Sequence, residues 1–229
     1  MVDGRAAVRL GGICGILYVV LFVPAYIVGY PDAPNPASST LDVFNYFDAG
    51  LNAFLIFNGV LTIFAAFFFV WFLGILHAVL RVVESEGGWL SSVALAGGVM
   101  FVTLSWAGVA AEIIHPAALS RFENFQPDPQ LVFMSLVLSS WLYHFCQVGM
   151  SVLISATSLV GLRTGVLPAW LAWAGFVVAL LALLHFLLPL LGALVGLLWV
   201  AVVSVLMLAG SAGFGRDIAS PPIRRLNRH

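Results

Sequence analysis

The chain has 229 residues, of which 62% are hydrophobic and 8% are charged, with a formal net charge of −1. Soluble domains carry about 25% charged residues, and a soluble fold of this length has too little interior to hide so much apolar surface. We therefore predict an integral membrane protein whose main partner is the lipid bilayer. Every fixed positive charge is an arginine and no basic stripe crosses the apolar segments, so nothing indicates a nucleic-acid partner.

Six apolar segments are long enough to cross a bilayer, which takes roughly 20 residues per helix. They cover about residues 10–30, 51–80, 89–114, 131–162, 170–188 and 190–212. The predicted fold is an all-α polytopic bundle of six transmembrane helices over residues 1–214. Residues 215–229 are a basic, Pro-containing segment that we expect to be a disordered cytoplasmic tail.

The arginines are distributed unevenly between the two predicted sides of the membrane. Arg121 stands alone on one side, and the opposite side carries Arg5, Arg9, Arg81, Arg163, Arg216, Arg224, Arg225 and Arg228. Basic residues concentrate in cytoplasmic loops. The bias therefore predicts that both termini are cytoplasmic and that the loops after the first and third spans face outward.

Both outward segments carry amphipathic patterns. Ser39 and Asp42 have the spacing of a helix capping box, and the apolar residues that follow predict a short helix in the outer interface. A second pattern, from Leu119 to Phe125, precedes the turn at Pro127 and predicts a similar interfacial element.

Small residues recur four apart in two spans, as Gly11 with Gly15 and Gly192 with Gly196. This spacing lets helix backbones approach closely in lipid. We expect these pairs to pack helices within the chain. Cys14 and Cys146 each lie inside an apolar span, so we predict no disulfide and no cysteine metal site.

Ionisable groups at membrane depth are costly and usually face the interior of a bundle. Four of them fall in the predicted outer half of the membrane: Glu112, His115, His144 and His185. A fifth, His77, lies near the cytoplasmic end of its span, where we expect it to extend to the interface. By simple residue counting, His144 and His185 differ in depth by several ångströms.

The fourth span carries polar residues at helical spacing, which form a polar stripe: Ser140, His144, Gln147, Ser151 and Ser155, continued by Ser158. Such a stripe would be unfavourable against lipid, so we predict that it points inward. Asn52, Asn58 and Thr62 of the second span are candidate partners for it.

These polar groups admit three interpretations. In the first, they hydrogen-bond across helices and fix the packing. In the second, Glu112 and His115 join His144 or His185 in a mononuclear metal site, or two histidines hold a haem. The single Glu-x-x-His motif disfavours a di-iron bundle, which needs two such motifs and two more glutamates. In the third, the groups form a pathway for a proton or a small solute.

No P-loop, G-x-S-x-G, G-x-G-x-x-G or C-x-x-C motif occurs, so the sequence names no reaction and leaves the enzyme question open. We expect a non-enzymatic scaffold, accessory subunit or small-solute binder. The alternatives are a small membrane enzyme or redox protein with an outward-facing metal or haem site, and a proton or small-solute transporter. A protein partner, a small hydrophobic ligand and the oligomeric state are left open.

Two segments carry a resemblance. Residues 9–18 (RLGGICGILY) and 158–171 (SLVGLRTGVLPAWL) look like the corresponding parts of a bacterial family of uncharacterised integral membrane proteins. The similarity extends over about residues 9–208. It implies six helices in the bacterial cytoplasmic membrane, the cell inner membrane, and supplies no activity and no site residues.

Overall fold

The computed structural model describes residues 4–29, 38–39, 41–42, 45, 55–84, 87–126, 128–187 and 189–210. Within these residues the fold is all-α, with no strand. The helices are α1 (Gly4–Gly29), α2 (Thr62–Glu84), α3 (Trp89–Arg121), α4 (Pro129–Thr164), α5 (Ala169–Leu183) and α6 (Pro189–Ala209). A π-helical segment, Leu55–Leu61, leads into α2, and a 3-10 turn, Leu184–Phe186, follows α5. All six helices are long and apolar enough to cross a membrane.

The predicted spans correspond one to one to these helices. The largest difference concerns α3, which continues through Pro116 to Arg121, so Leu119 belongs to α3 and not to a separate interfacial element. The predicted tail, residues 215–229, lies outside the described residues. So do most residues of the predicted interfacial helix after Ser39.

The capping box after the first span is present as predicted. The Asp42 carboxylate accepts hydrogen bonds from the Ser39 hydroxyl at 2.7 Å and from the Ser39 backbone N–H at 2.9 Å. The Asp42 N–H donates in return to Ser39 Oγ at 3.2 Å. These bonds hold the pKa of Asp42 below its ordinary value, because they favour the charged carboxylate.

The helices run alternately up and down, so the bundle has two ends. We call them the α2–α3 end and the α3–α4 end, after the loop that lies at each. The most extensive interface joins α3 to α4, and α1 packs against both α2 and α6. Arg121 lies at the α3–α4 end, and the other described arginines lie at the α2–α3 end: Arg5, Arg9, Arg81 and Arg163.

Glycines set the closest helix contacts. Gly97 of α3 faces Gly149 of α4, where a Cβ on Gly149 would lie 2.6 Å from Phe101 N and 2.7 Å from Gly97 O. A Cβ on Gly12 of α1 would lie 2.6 Å from Ser204 O of α6. The predicted pairs also make their close contacts within the chain: a Cβ on Gly11 would lie 2.6 Å from Met207 Cε of α6, and one on Gly192 would lie 3.0 Å from Leu181 O of α5. Cys14 and Cys146 are both free and buried, as predicted.

The α2–α3 loop is fastened by Glu84. Its two carboxylate oxygens accept the backbone N–H groups of Leu90 and Ser91, each at 2.9 Å. These donors belong to the first turn of α3, which has no intrahelical partners for them. His77 Nδ1 lies 3.0 Å from the carbonyl oxygen of Ser91, which is also in the first turn of α3. The expected extension of His77 to the interface stays a prediction.

Candidate functional site

The four predicted metal ligands are divided between two faces of α4. Tyr143 hydrogen-bonds the Glu112 carboxyl of α3, whereas the next residue, His144, contacts His185 beyond the end of α5. Consecutive helical residues point about 100° apart. The helix therefore sends one polar side chain toward α3 and the other toward α5, and the four candidates do not converge on one point.

His144 and His185 form a direct pair. Their Nδ1 atoms are 3.1 Å apart and their ring centroids 5.2 Å apart, with an interplanar angle of 67°. The rings of Trp141 and Phe186 lie 5.7 and 5.4 Å from the His144 ring. Since one Nδ1 donates and the other accepts, the pair satisfies its own polar atoms at this position. The predicted difference in depth between the two histidines stays a prediction, because two imidazole side chains that meet can bridge several ångströms.

This geometry does not fit the mononuclear metal site. Among the described residues, which include all four candidates, no three His, Cys, Asp or Glu side chains lie close enough to hold one metal ion. The haem hypothesis requires two histidines on different segments. His144 and His185 do meet, but they do so through a direct contact between their Nδ1 atoms.

Glu112 and His115 are in a different position, because parts of both side chains lack partners. The two residues are three apart on α3, and only 7% and 8% of their surfaces are exposed. Glu112 Oε2 and His115 Nδ1 are buried and form no hydrogen bond. Asn58, which is 5% exposed, has an equally isolated Nδ2.

The packing register puts Asn58 at the level of Glu112. Phe69 of α2 and Phe101 of α3 are in ring contact, with centroids 5.2 Å apart. α2 and α3 are antiparallel. The residue eleven positions before Phe69 and the residue eleven positions after Phe101 therefore lie at about the same position along the bundle axis. These positions are Asn58 and Glu112. We call Asn58, Glu112 and His115 the unpaired trio.

The surroundings of the unpaired trio combine a small residue and an irregular helix. Gly108 lies one turn from Glu112, and a Cβ there would meet Leu142, Tyr143 and the Ser139 carbonyl oxygen at 3.5 Å. Asn58 lies in the π-helical segment, which packs against α1 and α3. Single turns of π-helix are frequent at functional sites because they redirect side chains locally.

The predicted polar stripe of α4 faces α5 over much of its length. His144 contacts His185, and the Ser158 side chain occupies the space left by Gly175 of α5. Gln147 and Ser151 are buried, and Ser155 is half-buried with its hydroxyl bonded to the Val152 carbonyl.

Two expectations about the stripe were wrong. Ser140 is exposed, so the stripe does not point inward at its first position. Asn58 does not donate to the stripe as expected, because its Nδ2 has no hydrogen-bond partner. The partnership predicted for Thr62 stays a prediction, and Asn52 lies outside the described residues.

Two participants were missed at the level of the sequence. Tyr143, the partner of Glu112, was hidden among apolar neighbours, although its hydroxyl needs a partner when buried in lipid. Asn58 was noted only as a partner for α4. The sequence signal for Tyr143 and Asn58 is a polar group, a hydroxyl or an amide, within an apolar span at about the depth of Glu112.

Comparison of the chain with protein-family models, with curated proteins and with solved structures gave no match in any of the three. The site is therefore interpreted from its own geometry and chemistry.

Proposed function

We propose that this chain is a multi-pass protein of a bacterial cytoplasmic membrane, with both termini cytoplasmic, that binds a small polar solute without transforming it. The six apolar helices and the arginine bias between the two ends of the bundle support this placement. The α3–α4 end then faces outward, and the unpaired trio lies toward that end.

The observation that carries the proposal is the burial of three polar atoms without partners on α3 and on the π-helical segment that packs against it. They are Asn58 Nδ2, Glu112 Oε2 and His115 Nδ1. An unpaired buried polar atom costs about 1–3 kcal/mol, and in hydrocarbon no water compensates for it. A bound solute with hydrogen-bond donors and acceptors removes this cost.

Some other polar groups of the bundle are bonded. The His144–His185 pair and the Glu84 carboxylate find partners on neighbouring segments. Five further buried side chains of the described residues also have an unpaired polar atom: Tyr18, Gln147, Thr157, Ser158 and Trp199. The unpaired trio differs from these five because it contains a carboxyl group and an imidazole, whose burial in a membrane is more costly than that of a hydroxyl or an amide.

The trio also defines the chemistry of the solute. The Glu112 carboxyl oxygen accepts a hydrogen bond, the Asn58 amide donates one, and His115 Nδ1 does either, depending on its tautomer. A small molecule that both donates and accepts hydrogen bonds, such as an amide, fits this set. A purely apolar ligand would leave all three atoms unpaired.

The test measures thermal unfolding of the full chain in mild detergent with acetamide, urea, guanidinium and methylammonium as probes. We expect at least one probe to raise the Tm saturably, since a ligand at a hundred times its Kd stabilises by about 2.7 kcal/mol. Glu112→Gln and Asn58→Leu should abolish the increase. Glu123→Gln is the matched control, because Glu123 is an exposed acid in the loop after α3.

An equal Tm increase in Glu112→Gln and in the unmodified chain would contradict the proposed site. The absence of any saturable increase across the four probes would contradict binding of this solute class. In both cases the trio would have to be explained by packing alone.

A second candidate is transport of such a solute. The π-helical segment favours it, because it places a break in regular helix geometry beside the trio. Solute flux into liposomes that depends on Glu112 would establish transport, and binding without flux would leave the protein a binder.

A further inference from the structure

A groove of ≈ 530 Å³ lies on the outer surface of α1, at the α2–α3 end of the bundle. It is far from the unpaired trio and is lined by Arg5, Ala6, Arg9, Leu10 and Ile13. Among the described residues that line it, two are arginines and none is acidic, so this part of the lining favours an anion.

The two arginines are placed to act together. Arg5 and Arg9 are one helical turn apart on α1, and both are exposed. The planar guanidinium group offers parallel N–H donors that match the oxygens of a phosphate. Two such groups at this spacing can contact one phosphate group from adjacent turns.

The surface that continues from the arginines is apolar and exposed. Leu10 is 46% exposed, Ile13 47% and Val20 58%. With a rise of about 1.5 Å per residue, Val20 lies about 16 Å from Arg9 along the helix axis. The face therefore starts with positive charge and continues as a hydrocarbon surface over about half the thickness of a bilayer.

We propose that this groove binds an anionic phospholipid, with the headgroup phosphate between Arg5 and Arg9 and an acyl chain along Ile13 and Val20. The arginines select the negative headgroup, because each basic residue near a membrane surface contributes about 1 kcal/mol toward anionic lipid. The continuous apolar face distinguishes a lipid from a free phosphate, which would use only the charged end of the groove.

The test uses the full chain in mild detergent and native mass spectrometry to count bound lipid. Phosphatidylglycerol is titrated against phosphatidylcholine with the same acyl chains. We expect preferential retention of phosphatidylglycerol. In the double variant Arg5→Gln/Arg9→Gln its binding should weaken roughly ten- to thirtyfold, which is the loss of about two surface charges.

Arg121→Gln is the matched control, since Arg121 is an exposed arginine at the opposite end of the bundle and should leave retention unchanged. Arg9→Lys keeps the charge but loses the planar fork, so we expect partial loss; it also serves if the double variant does not fold. The proposal would be overturned if Arg9→Lys and the double variant both retained as much phosphatidylglycerol as the unmodified chain.

Two further outcomes would also overturn it. An equal loss of binding in Arg121→Gln would show that only net charge matters. Full displacement of phosphatidylglycerol by millimolar inorganic phosphate would show that the site recognises phosphate and not lipid. Resistance to inorganic phosphate is the expected result.

Discussion

Replacing Gly149 by alanine should separate the two helices that share the largest interface. An added Cβ would lie 2.6 Å from Phe101 N and 2.7 Å from Gly97 O, whereas ordinary contacts begin at 3.4 Å. The obstructing atoms are backbone, so rotation of a side chain cannot relieve the clash. The backbones of α3 and α4 must therefore move apart by about 0.8 Å, which is the difference between 2.6 and 3.4 Å.

The expected cost of Gly149→Ala follows from two opposing terms. Overpacking of a close interface costs about 1–3 kcal/mol, and alanine recovers up to about 1 kcal/mol of helix propensity relative to glycine. With the full recovery the net loss is about 0–2 kcal/mol. A loss near the upper value is large for a membrane bundle, because packing between helices is a principal source of stability where lipid is as apolar as the side chains.

The measurement is the free energy of unfolding in mixed micelles titrated with a denaturing detergent. Gly74→Ala in α2 is the matched control, because no atom lies within 4 Å of a Cβ at Gly74. It should raise stability by up to about 1 kcal/mol. If Gly149→Ala were as stable as Gly74→Ala, the close backbone contact between α3 and α4 would be refuted.

Three further predictions concern polar contacts. Glu84→Ala removes the acceptor for two N–H groups of α3 and should lower the free energy of unfolding by about 0.5–2 kcal/mol; unchanged stability would contradict the cap. His144→Leu leaves His185 without its partner and should lower the free energy of unfolding by about 1–3 kcal/mol. The double variant with His185→Leu should lose less than the sum of the two single variants. Additive losses would argue against the pair. Ser39→Ala should raise the pKa of Asp42 toward its ordinary value, measured by carboxyl-carbon NMR; in the unmodified chain this bond is lost as pH falls through the lowered pKa.

The sequence predicted the parts of the structure that depend on local composition. Six helices follow from six apolar segments, since each must satisfy its backbone internally in lipid. The Ser39–Asp42 capping box follows from residue types three positions apart. The start of α4 carries a comparable local signal that the prediction did not use: Asp128 accepts from the Gln130 N–H at 2.8 Å, and Pro129 occupies the first turn.

The contacts between helices could not be predicted in the same way. His144 and His185 are 41 residues apart, and their contact depends on tilt and on a 3-10 turn that no local pattern announced. The bond from His77 to Ser91 likewise required the facing helix. The π-helical segment has no sequence signal that periodicity detects.

Polar residues lie on two faces of α4, one toward α3 and one toward α5. The two faces differ in how completely their polar groups are hydrogen-bonded. Tyr143 and His144 are adjacent, yet the first hydrogen-bonds Glu112 and the second pairs with His185. On the α5 side, His144 and His185 meet each other, and that contact needs nothing further to explain it. On the α3 side, Tyr143 satisfies only part of the Glu112 carboxyl, while Glu112 Oε2, His115 Nδ1 and Asn58 Nδ2 stay unpaired. A bundle built only for stability would carry apolar side chains at these three positions, because buried unpaired atoms are a net cost. Five other buried side chains of the described residues also have an unpaired atom, but Glu112 and His115 are the carboxyl and the imidazole among them, and ionisable groups are the costliest to bury in a membrane. A ligand that completes their hydrogen bonds, as proposed above, would remove that cost.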